Sequence, residues 1–176
     1  MITYKNAIAG MLIAGVTMLS PLLLQTTRAQ NNGNQDAEVT FTKWITGVTP
    51  SIVPGTPLPP CDPGQNIILM AGFTGGDAPG VFSGEVLYRK VSANGRITQL
   101  WPIYEVSAGS RSFTALIQGG TNNRTGVAMM DGVVMDGWRV GDRVQVTFQA
   151  MTNCAGAPAG PCFQGTIRIS RDKNKN

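Results

Sequence analysis

Carboxylates, tyrosines and tryptophans are the residues through which this sequence could do chemistry. The chain has 176 residues and no histidine. That count excludes a Ser-His-Asp triad, a Cys-His pair, a His-ligated metal and a His general base. Three cysteines cannot supply a Cys₄ zinc site within one chain. Glu85 and Glu105 are the acids best placed to act together. They lie on two runs that the Asn94-Gly95 turn should pair as a hairpin. In a barrel mouth such a pair could serve as acid and base, as in glycoside hydrolysis; on a surface they are ordinary solvated carboxylates beside Arg89, Lys90 or Arg96. Tyr88 and Tyr104 could work with an acid. Trp101 and Trp138, with Trp44 and the two tyrosines, could stack on a sugar or an apolar ligand, or fill the core. Glu85, Glu105, Tyr88, Tyr104, Trp101 and Trp138 are therefore the candidate ligand-binding residues, and no catalytic residue is assigned.

The aspartates read as turn chemistry. Asp131-Gly132 and Asp136-Gly137 echo one another, and Gly141-Asp142 follows. A calcium site of carboxylate and carbonyl oxygens is the alternative, but the spacing does not fit an EF-hand loop. No metal and no cofactor are expected.

The elements that must position these residues are strands. Glu38–Thr46 carries Val39, Phe41, Trp44 and Ile45 among threonines, and Asn66–Phe73 is a continuous apolar run. Val81–Val91 and Arg96–Val106 flank the Asn-Gly turn. Pro102 demands an edge, a bulge or a break where it falls. Arg111–Gln118, Arg143–Met151 and Cys162–Ser170 alternate apolar and polar residues, and Val127–Met135 is apolar around Asp131-Gly132. No segment beyond the N-terminal run holds a 3.6-residue period. Turn signals every 8–12 residues point to an all-β domain. Gly84, Gly132 and Gly165 sit inside strand-like runs, where glycine marks a bulge or the bend of a closing barrel. The expected fold is a single small antiparallel β-barrel, or barrel-like sandwich, of about eight strands over 38–170. Its core should hold Phe41, Leu69, Phe82, Val86, Phe113, Ile117, Val144, Val146, Phe148 and Ile167.

Residues 1–29 read as a signal peptide. Lys5 supplies the positive start, Ala7 to Leu24 is apolar and uncharged, and Thr27-Arg28-Ala29 ends in a small residue. Left uncleaved, the run would serve as a membrane anchor. The protein is thus expected to be exported, to the periplasm, cell surface or medium. Removing the segment takes Lys5 and Arg28 from the 14 basic residues and nothing from the 10 acidic ones, leaving a net charge of +2. That field is too weak to argue for nucleic acid. Residues 30–37 are polar and expected to be disordered. The 47–65 segment holds six prolines and reads as a stiff loop over one end of the domain. Residues 171–176 form a basic tail.

Export permits disulfides. Cys154 and Cys162 flank a Gly/Pro/Ala loop, and a bridge between them would staple a hairpin; pairing Cys61 with either one is the rival.

The stretch FSGEVLYRKVSANGRI … YEVSAGSRSFTALIQGGTNNRTGVAMMDGVVMDGWRVGDRVQVTFQAMTNC … CFQGTIRI resembles uncharacterised exported bacterial proteins. Its rhythm of short strands, each carrying a glycine, is similar to the allene-oxide-cyclase and dirigent barrels. That likeness implies a barrel and carries over no site residue.

Taken together, these features favour an exported, non-catalytic binding or surface-associated protein that recognises a glycan, an apolar small molecule or an envelope partner. A structural or assembly subunit of the cell envelope is the first alternative. A carboxylate-dependent lyase, isomerase or glycosidase is the second.

Overall fold

Alternation decides which side of each strand faces inward. In Arg143–Met151, Val144, Val146 and Phe148 are buried, and Gln145, Thr147 and Gln149 are exposed. Apolar side chains at every second position form one face that must leave water, and eight such faces close upon one another. The computed structural model describes residues 36–50 and 66–171. Within them run β1 (Ala37–Pro50), β2 (Asn66–Gly76), β3 (Gly80–Val91), β4 (Ile97–Ser107), β5 (Phe113–Asn122), β6 (Val127–Gly137), β7 (Arg143–Met151) and β8 (Cys162–Ser170). Every strand pairs antiparallel with the next. The β1–β8 ladder, from Ala37 opposite Ile169 to Trp44 opposite Cys162, closes the barrel.

Glycines let the wall bend where large rings fill the inside. Gly165 lies between Phe41 on β1 and Phe148 on β7. A Cβ there would run into the Thr147 carbonyl oxygen and the Phe148 backbone. Gly132 meets the Leu116 carbonyl in the same way. Close backbone approach of this kind is what strand glycines permit. Asp131-Gly132 accordingly sits inside β6 and is not the turn its composition suggested. The Asn94-Gly95 turn is present: Gly95 has a φ of 69°, and Asn94 Oδ1 accepts from Ser92 Oγ and the Arg96 amide.

Three bulges interrupt the ladders. Thr46 on β1, Leu87 on β3 and Met135 on β6 are each extra residues against their partner strands. Pro102 explains the opening beside the second. It has no N–H to donate, and the β4–β5 pairing is missing between Leu100 and Ile103.

The expected core is buried with one correction. Leu69 is only half-buried, because Ile68 and Met70 take the inward parity on β2. A second correction concerns the segment given to a Pro-rich loop. Its first four residues, Gly47 to Pro50, continue β1 and pair with β2 as far as Asn66. The remainder, with Cys61, lies outside the described residues, as do residues 1–35 and 172–176. β1 also starts at Ala37, one residue earlier than expected, with that residue buried. Cys154 and Cys162 are disulfide-bonded.

The outer wall is polar along β7 and β8, with Gln145, Thr147, Thr166 and Arg168, while Val81 on β3 and Met129, Val133 and Met135 on β6 stand exposed; the interior is apolar. Among the described residues, no helix is long and apolar enough to cross a membrane.

Candidate functional site

One cationic side chain points into this apolar interior. Lys43 shares the inward parity of Val39 and Phe41 on β1, and only 1% of its surface is exposed. Its Nζ donates to Tyr104 Oη from β4. Five aromatic rings surround it. The ring centres of Tyr104, Phe148, Phe41, Phe82 and Phe163 lie 4.1, 4.2, 5.2, 5.6 and 5.9 Å from the nitrogen.

Two opposing effects act on that amine. Ring faces attract a cation, by about 2 kcal/mol or more when desolvated. Taking an ammonium out of water costs several kcal/mol. Among the described residues, no carboxylate lines the space around Lys43 to offset that cost. Desolvation prevails and holds the Lys43 pKa well below its ordinary value of 10.5. Burial also pushes the Tyr104 phenol up, so it keeps its proton. Both shifts favour the uncharged forms, an amine beside a phenol.

Above them lies a cavity of about 220 Å³. Met70, Val86, Leu100 and Pro102 form apolar walls around Lys43 and Tyr104. The cavity opens at the barrel end where β1, β3, β5 and β7 finish. Among the described residues, Ile45, Arg89, Thr98, Thr121 and Asn123 line it toward that end. The Leu87 bulge places Arg89 there. Val86 points inward, Leu87 is the extra residue, and the parity of β3 then reverses. The 154–162 disulfide joins the β7–β8 hairpin at the same end, and its Phe148 and Phe163 rings meet at 5.5 Å.

The opposite end is packed. Phe113, Val134 and Ile169 fill it, and Trp138 lies against Phe113. The guanidinium groups of Arg111 and Arg139 sit 5.4 and 5.9 Å from the Trp138 ring.

Of the six candidates read from the sequence, Tyr104 alone lines the cavity. Tyr88 and Trp101 face each other on the outer wall, ring centres 5.3 Å apart and both half-buried. Glu85 and Glu105 share a face, but it is the exposed outer one. Glu105 Oε2 accepts there from Ser83 Oγ. The aspartates go separate ways. Asp131 accepts from Gln145, and Asp142 pairs with Arg139 at 2.7 Å. Among the described residues, no three metal-ligating side chains converge.

Lys43 was missed. The signal was its parity: a lysine at the third inward position of Val39, Phe41, Lys43 and Ile45 is a charged side chain on an apolar face.

The chain matches no protein-family model, no curated protein and no solved structure.

Proposed function

We propose that this is an exported protein that binds an apolar small molecule inside its barrel, with the ligand's polar group set against Lys43 and Tyr104. The single observation that carries this reading is the open apolar cavity with an amine and a phenol at its base. Barrel mouths are common ligand sites, and few, well-placed polar groups in an apolar pocket fix a ligand's orientation. The volume suits a small ligand, equivalent to about seven molecules at the roughly 30 Å³ that water occupies in the liquid. The 154–162 disulfide and the apolar run before residue 25 support export.

The test is a thermal-shift series with octanol, octanoic acid and a set of oligosaccharides. A ligand at about 100 times its Kd adds roughly 2.7 kcal/mol, worth several degrees in Tm for a chain of this size. The eight-carbon compounds are expected to raise Tm and the oligosaccharides to leave it unchanged. A shift with oligosaccharides alone would move the binding site to the outer wall, where Tyr88 and Trp101 sit together. A cooperative melt unmoved by any compound would count against ligand binding and leave a structural role in the envelope.

A further inference from the structure

We infer that the cavity holds its ligand covalently: Lys43 Nζ forms an imine with an apolar aldehyde, and Tyr104 moves the proton that the reaction requires. This deepens the binding reading above and rests on it.

Three features converge on the chemistry. The first is access. Lys43 is buried from bulk water, yet it and Tyr104 both line the cavity, so a molecule held there lies against the pair. The second is protonation. An amine adds to a carbonyl only through its free lone pair, and lysines are activated by desolvation in apolar pockets. Five rings, and among the described residues no carboxylate, surround Nζ, and the same burial favours its unprotonated form. Tyr104 on β4 is the titratable group facing it, and Arg89 on β3 is the charged residue at the mouth; neither can hold an ammonium by opposite charge at neutral pH. The third is a proton donor in place. Nζ–H donates to Tyr104 Oη, which leaves the phenol's own proton to be donated to the ligand's oxygen.

The step balances within the site. Nζ adds to the carbonyl carbon, the C–N bond forms as the C=O π bond breaks, and one proton of the amine passes through Tyr104 to the oxygen, which becomes a hydroxyl. Tyr104 then protonates that hydroxyl as the C–O bond breaks and water leaves. The nitrogen returns a proton to the phenolate as the C=N bond closes. One amine and one aldehyde give one imine and one water, with nothing oxidised or reduced. The product suits its surroundings: a neutral imine escapes the desolvation cost that an ammonium would meet there. An apolar chain filling the cavity also keeps out the water that would hydrolyse it.

The experiment treats the purified protein with octanal and traps any imine with borohydride. Intact mass and peptide mapping then locate the product. The expected result is one octyl group per chain, on the peptide that contains Lys43, formed at about pH 6 where an exposed lysine is almost wholly protonated. Octanol, which fills the same space without a carbonyl, should slow the labelling. Tyr104→Phe is expected to slow it about 100-fold or more. Lys43→Met should abolish the adduct while keeping a cooperative thermal melt. If that variant does not fold, the peptide map of the unmodified chain decides the matter alone. Labelling confined to exposed Lys90, or no labelling while octanol still raises Tm, would overturn the imine and leave cavity binding standing. No response to either octanal or octanol would overturn both.

Discussion

Lys43 and Tyr104 are 61 positions apart in sequence, yet they share one hydrogen bond inside the barrel. β1 and β4 are not neighbours in the sheet, so the bond crosses the lumen. Each group's titration is shifted by the same cause, and the two shifts have opposite consequences for stability.

For Lys43, the unfolded chain carries a proton that the folded chain lacks between the lowered folded pKa and the ordinary 10.5. Stability therefore rises with pH across that window, by up to about 1.4 kcal/mol per pH unit. Tyr104 has a raised pKa in the fold. Its contribution is fully present below its ordinary value of 10.0 and is lost as pH climbs above it. Urea unfolding measured over a pH series should show a rising limb and a maximum near pH 10. Lys43→Met should flatten the limb, and the Tyr104 hydroxyl that loses its partner should cost about 1–3 kcal/mol. A flat curve for the unmodified protein would mean that the amine stays charged in the fold.

Reduction of the 154–162 bridge should cost about 2–3 kcal/mol, because the loop it closes spans only eight residues. Its larger effect should be local. Faster amide exchange is expected in β7 and β8 near Phe148 and Phe163, with little change in β3 and β4. Hydrogen-exchange mass spectrometry with and without reductant checks this.

Gly165→Ala should destabilise the barrel by about 1–3 kcal/mol, since the new Cβ meets the Thr147 carbonyl and the Phe148 backbone. Gly95→Ala is the contrast. Nothing lies within 4 Å of a Cβ there, so its cost is the φ of 69° alone, about 1 kcal/mol. Urea midpoints of the two variants, compared at equal slope, test the difference.

Glu85→Gln and Glu105→Gln should leave ligand binding and stability within about 0.5 kcal/mol of the unmodified protein, because both carboxylates stand on the outer wall. Titration of octanol into each variant provides the measurement. A loss of binding in either one would relocate the site to that wall.

The strand order and the inward faces of β5, β7 and β8 were legible because period-2 alternation maps directly onto burial. Gly132 and Gly165 were legible as bends because a residue without a Cβ in a strand needs a geometric reason. Leu69 was misjudged because Asn66–Phe73 is apolar throughout, and a continuous run conceals which parity faces inward. Residues 47–50 were misjudged because proline density was weighed ahead of ladder position; Pro50 falls at the last pair of β1, where a strand accepts it. The site itself depended on closure. Tyr104 was chosen for its residue type, but its partner was not, because a bond across a lumen leaves no trace in local spacing.

The extra residue Leu87 has a wider consequence. Below it, Phe82, Gly84 and Val86 keep their inward places whatever follows. Beyond it, deletion of Leu87 would leave Tyr88 opposite Trp101 and Arg89 opposite Leu100, whereas a ladder made regular with Leu87 retained would exchange Arg89 at the entrance for the ring of Tyr88. The gatekeeper can thus be rewritten without disturbing the amine at the floor, so that variants of this barrel could admit different guests to the same reactive base.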